Sequence, residues 1–217
     1  MGRVGSIAVL ALLVAGCAPT IQERVQQYND LGLQRYQQGE YDHARQDFQA
    51  ALALLPNNVA LLYNIGQCYD HLGQADQAES IYRQCLQQDA NNADCRHALN
   101  VLLVQRGRIV EAQRMVQDWL TREPKLSAAY AEDGWLYEQE HDPYRAIKRY
   151  QQAVYYDPHN TLALVGMGRV YEENLNLPSN ALWLYQMALN YDPHQPDLIK
   201  RVSRLRARGV GPPHPES

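Results

Sequence analysis

Phenylalanine is almost missing from this chain, which carries one Phe against fifteen Tyr. Charge of one sign is missing too: 20 Lys and Arg face 24 Asp and Glu, for a formal net charge of −4. That balance excludes the basic surface expected of a nucleic-acid binder, so no nucleic-acid partner is expected. The leading segment's unbroken apolar run, Ile7 to Val14, has eight members. A helix needs ~20 to cross a bilayer, so no stretch reads as a membrane span. No nucleophile–base pair, paired catalytic carboxylates or phosphate-cradling glycine loop appears, which argues against an enzyme and against a bound cofactor.

What is present is periodicity. Gly32, Gly66, Asn100, Gly134 and Gly168 stand at a strict 34-residue spacing. Ala44, Ala78, Ala112 and Ala146 form a second ladder in phase with the first, and Ala181 follows one residue late. Random sequence does not hold two registers over five periods, and a fixed period of this length marks stacked helix pairs. Tyr or Phe at 48, 82, 150 and 185 and Pro at 56, 124, 158 and 193 recur with them. The small residues allow two antiparallel helices to cross closely, and each proline stops a helix by withholding its N–H.

The pattern resembles the tetratricopeptide repeat. The resemblance implies an all-α, right-handed solenoid of antiparallel helix pairs. Its repeats fall at residues 25–58, 59–92, 93–126, 127–160 and 161–195, and a capping helix follows at 196–208. Proline at 196 and glycine at 209 suit the two ends of that helix. Lys200, Arg201, Arg204, Arg206 and Arg208 give it the wet outer face that a terminal repeat needs. Residues 209–217 are expected to be a disordered tail.

The first residues have a different character. Arg3, the apolar run and the small residues after it make a secretory leader over residues 1–16. It ends in Val14-Ala15-Gly16-Cys17, which resembles the lipobox of bacterial lipoproteins. The resemblance implies lipidation at Cys17, with residues 18–24 as a tether reaching at most about 25 Å when extended. Ala18, not aspartate, follows the cysteine. In organisms with two membranes this implies lipid anchoring at the outer membrane, facing the periplasm.

The repeats also predict where regularity fails. Trp119 stands where other repeats have Ala51, Cys85, Ala153 and Ala188, so a widening is expected between repeats three and four. Asp133 takes a core position held elsewhere by Leu31, Ile65, Leu99 and Met167. It is expected either to accept from the Trp119 indole N–H or to sit wet on a rotated helix. His141-Asp142-Pro143 replaces a glycine turn. Cys85 and Cys95 flank one inter-repeat turn and could form a disulfide. Cys68 and Cys85 occupy positions suited to small buried residues, which favours free thiols instead. With His71 and His97 these cysteines lack zinc-site spacing, so no metal is expected.

In proteins of the resembled family the first helices line a concave groove. The matching positions here include Tyr36, Tyr63, Asn64, Gln67, Asp70, His71, His97, Val101, Glu132, Trp135, Glu138 and Arg169. The family's clamp for a C-terminal carboxylate is absent, because Asn29, Leu33, Asn64, Asp94 and Ala98 occupy its positions and only Asn64 matches. Glu132, Glu138, Glu172 and Glu173 make the later half acidic, which suggests a basic or neutral ligand segment. The expectation is a scaffold that binds envelope proteins as an extended peptide or helix. Its implied uses are those of pilotin-like pilus or secretion lipoproteins or of adaptors for cell-wall enzymes. Self-association of the stack is a further possibility.

Overall fold

The structure is a computed structural model that describes residues 19–211 and 213. The leader, Cys17 and Ala18, and the last residues of the tail lie outside that range. Eleven helices fill the described residues. They run α1 Ile21–Gln37, α2 Tyr41–Leu54, α3 Val59–His71, α4 Ala75–Gln88, α5 Ala93–Gln105, α6 Ile109–Arg122, α7 Ser127–Gln139, α8 Pro143–Tyr156, α9 Thr161–Glu173, α10 Pro178–Tyr191 and α11 Pro196–Ala207. Each helix packs against its successor, and the odd-numbered helices from α3 to α9 also touch one another along one face. The architecture is a solenoid of five helix pairs with a terminal helix.

Helix starts follow local chemistry. Asn58, Asn92 and Asn160 cap α3, α5 and α9 by accepting the N–H of Leu61, Cys95 and Ala163. This satisfies an amide that has no partner inside the helix. Thr20 and Glu23 form a reciprocal capping box, so α1 begins at Ile21 and residues 21–24, expected as tether, are its first turn. Turns within repeats one to three place Gly39, Gly73 and Gly107 at φ 79°, 70° and 72°. In repeat four His141 takes the same left-handed backbone at φ 58°, where a side chain is strained. Asp142 then caps α8 through the Arg145 N–H. At the other end Gly209 closes α11, and Val210 packs back on the last core cluster. The start of the expected tail is therefore part of the fold.

The core explains the glycine ladder. A Cβ on Gly32 would lie 2.6 Å from the Phe48 ring. One on Gly66, Gly134 or Gly168 would lie 2.3, 2.8 or 2.5 Å from Tyr82, Tyr150 or Tyr185. Each glycine on the first helix is the floor on which the second helix lays an aromatic ring. Repeat three has the complementary solution, with Asn100 in the glycine's place and Val116 in the ring's, both fully buried. Its helices α5 and α6 pack against each other less extensively than the pair of any other repeat. The largest loosening thus falls inside repeat three, and the junction of repeats three and four is the least extensive of those between repeats.

Trp119 turns toward the preceding repeat. It is fully buried, its indole N–H donates to Asn91 Oδ1 at 2.8 Å, and Arg96 lies over its ring at 4.2 Å. The indole faces back toward the turn between α4 and α5. Asp133 is buried and pairs with Arg149 at 2.7 Å and Gln117 at 3.1 Å. Both expectations for it fail, the indole bond and the wet surface, because its partners lie on α8 and α6. Burial nonetheless pushes its carboxyl above the usual range, against the opposing pull of Arg149 and Gln117.

Cys85 and Cys95 form a disulfide that ties α4 to α5. The free-thiol reading holds only for Cys68, buried between α3 and its neighbours, whose thiol burial pushes up to about 12. Among the described residues no three His, Cys, Asp or Glu side chains gather as a metal site would need. Among the described residues no helix is long and apolar enough to cross a membrane.

Candidate functional site

The odd-numbered helices bring most of the groove residues to one face. Two cavities lie along its first half. Leu33, Tyr36, Phe48, Tyr63, Asn64 and Gln67 line a narrow one of about 170 Å³ between α1 and α3. Tyr63, Gln67, Asp70, Ala93, Asp94, His97, Ala98, Val101 and Leu162 line a wider one of about 440 Å³ between α3 and α5. Tyr63 and Gln67 form the wall between them.

A hydrogen-bond relay crosses this wall. Gln67 Nε2 donates to the Tyr82 hydroxyl, and that hydroxyl donates to Asp70 Oδ2, each at 3.0 Å. Burial holds the Asp70 carboxyl above its ordinary range, although the Tyr82 bond and nearby His71 pull it down. His71 itself is exposed and stacks on Tyr41 at 4.3 Å, so it supports the rim and lines neither cavity. Tyr36 meets both rings edge-on, and burial raises its hydroxyl to about 12.

The second half of the groove is not the acidic surface expected. Glu132 is 1% exposed, held by His97 Nδ1 at 2.8 Å and Asn100 Nδ2 at 3.0 Å. Burial alone would lower the His97 pKa, but the Glu132 hydrogen bond and charge, with a smaller pull from Asp94, raise it against Arg169. Trp135 meets His97 edge-on at 5.1 Å and packs against two core clusters, so it is as much core as groove. Glu138 is gripped by both ends of the Arg169 guanidinium and accepts the Tyr150 hydroxyl at 2.9 Å. Glu172 and Glu173 are held by Arg201 at 3.1 and 2.7 Å. Arg201, expected on the wet face of the cap, turns inward. These carboxylates are neutralised within the chain, and they give no reason for a basic ligand there.

Leu162 is a wall residue that the repeat pattern does not reveal. It stands on α9, two repeats beyond the α5 wall of the cavity it lines, and only the curl of the stack brings it there. Arg201 does leave a signal, since it follows Glu172 by 29 residues much as Arg169 follows Glu138 by 31.

With this geometry in hand, comparison decides the repeat type. The tetratricopeptide repeat model matches residues 35–84 and 73–132. The fold is that of a solenoid of tetratricopeptide-repeat type. The helix pairs on either side of the matched region continue the same arrangement. The solenoid is similar to TTC0263, a thermophilic tetratricopeptide protein of Thermus thermophilus, at 21% identity and a TM-score of 0.65, covering 84% of this chain and 99% of that one. It is also similar to yeast Tom70 at 18% identity and a TM-score of 0.70, covering 86% of this chain and 40% of that one. Both likenesses concern the fold. The uncharacterized protein ycf37 of Guillardia theta is 33% identical over 88 residues, 41% of this chain. The chain spans about half (48%) of that relative's length.

Proposed function

We propose that this protein is a lipid-anchored scaffold of the bacterial envelope that binds a segment of another envelope protein in its concave groove. The observation that carries the groove reading is the pair of adjoining cavities along α1, α3 and α5, walled by Tyr63 and Gln67. Aromatic rings there offer contact area at little entropic cost, and Asn64 and Gln67 can bond an extended backbone. The Cys85–Cys95 disulfide supports an oxidising compartment, in keeping with the leader and the lipidation site read at Cys17. A body whose first helix starts at Ile21 would sit directly on the lipid surface, facing the periplasm from the outer membrane. A role in pilus or secretion assembly fits that placement.

Crosslinking in the native host followed by purification of the intact chain tests the binding reading. Recovery of an envelope protein by the parent chain but not by Tyr63→Ala/Asn64→Ala supports it. Equal recovery by both, or none by either, refutes it. Trp135 is a poor control because its loss would open the core. For the anchor, Cys17→Ser should release the protein from membranes and abolish the lipid mass increment; a variant still held there would contradict lipidation.

A further inference from the structure

The groove carries one motif three times and completes it twice. In repeats four and five a tyrosine of the second helix donates to an acid near the end of the first, Tyr150 to Glu138 at 2.9 Å and Tyr185 to Glu172 at 3.0 Å. A guanidinium from a later helix then closes each acid, Arg169 on Glu138 and Arg201 on Glu172. Repeat two has the same first half, Tyr82 donating to Asp70 over the same 12-residue step as Tyr150 to Glu138. Arg169 stands 31 residues after Glu138, and the same step from Asp70 arrives at Val101. Valine supplies no cation, and among the described residues no arginine or lysine pairs with Asp70.

A cavity of about 430 Å³ between α9 and α11 has Arg169 and Arg201 in its lining, whereas the cavity of about 440 Å³ between α3 and α5 has Asp70 and Val101 and no arginine. Asp94 adds a second carboxylate from the α5 side. His97, the one lining group that can become cationic, is already spent on Glu132 at 2.8 Å. Leu162 and the ring of Tyr63 offer apolar walls for the stem of a long side chain, and a guanidinium can also lie on a tyrosine face, as Arg201 does on Tyr185. Elsewhere in the groove the acids are neutralised, so this cavity is where negative charge is left facing open space.

We propose that the cavity between α3 and α5 receives an arginine or lysine side chain of the bound protein segment, its cation seated on Asp70 as Arg169 is seated on Glu138. This rests on the groove-binding reading and adds the chemistry of one subsite. Arginine is favoured over lysine, because its planar fork can meet both carboxylates and the tyrosine ring together.

The test pans a displayed library of random octapeptides on the full chain in detergent, beside Asp70→Asn, Val101→Arg and, as a control, Glu140→Gln. The expected result is enrichment on the parent of peptides with arginine or lysine at one aligned position. A synthetic peptide of the enriched sequence should bind Asp70→Asn and Val101→Arg at least tenfold more weakly, and Glu140→Gln as well as the parent. Val101→Arg supplies the missing partner from within, so it should block the subsite while its melting temperature stays at or above the parent's. This guards against loss by misfolding. Enrichment without a cationic position, or with affinity unchanged in Asp70→Asn, overturns the subsite and leaves the groove reading standing. No enrichment on the parent overturns both.

Discussion

At the residue scale the fold turns on an exchange of volume between two positions. Where the first helix has glycine the second has a ring, and where it has Asn100 the second has Val116. This makes a testable coupling. Gly32→Ala puts a methyl 2.6 Å from Phe48 and should cost about 1–3 kcal/mol by overpacking. Phe48→Val should cost a comparable amount by leaving a void. Together they should cost less than the sum by about 1 kcal/mol or more, as expected for residues that share one space. Urea unfolding followed by circular dichroism reads all three, and strict additivity would show that ring and glycine do not share that space. Both ladders were visible in the sequence, because a period survives without knowing what touches what. The partners of Trp119 and Asp133 were not recoverable in that way. Each bonds to another element, the indole to Asn91 and the carboxylate to Arg149 and Gln117. Spacing along a chain does not tell which turn a long side chain will reach.

At the scale of elements, repeat three is the exception. Without a ring laid on glycine, α5 and α6 hold each other through less surface, and polar bonds from α5 to α7 take over. Amides of α6 should therefore exchange with deuterium faster than those of α4 and α8, since local opening follows packed surface. Uniform protection across the three helices would count against the loosened pair. The α5–α7 bond also carries a pH dependence. His97 binds its proton more tightly in the folded chain than the ordinary value of 6.5. The folded state thus holds more protons than the unfolded one above that value, and stability falls as pH rises through the folded pKa. Below 6.5 the contribution is fully present. Thermal melts across pH 5.5–8.5 should show this decline in the parent and not in His97→Gln, which keeps a donor for Glu132 but cannot titrate. An identical slope in both would place the proton elsewhere.

For the whole molecule, bonds along the concave face run from one first helix to the next: α5 to α7 through His97 and Glu132, α7 to α9 through Glu138 and Arg169, and α9 to α11 through Glu172 and Arg201. The run stops between α3 and α5, where the wider cavity opens. The second helix of repeat two is tied forward instead, by the Cys85–Cys95 bridge from α4 to the start of α5. The sequence made the stack legible, and it left the curl that carries Leu162 to the cavity hidden, because curvature accumulates from small rotations that no single repeat encodes. The same bridge gives the last expectation. A bridge spanning 10 residues closes a short loop, so its reduction should lower the unfolding free energy by about 2–3 kcal/mol. Chain made in an oxidising compartment, unfolded without reductant and alkylated, should be modified at Cys68 but not at Cys85 or Cys95. Reduction before alkylation should open all three. In the native state at pH 8 Cys68 should resist alkylation as well, its thiol buried and held well above that pH. Should Cys85 and Cys95 alkylate freely in unreduced chain, the bridge is absent, and the disulfide's support for a periplasmic location goes with it.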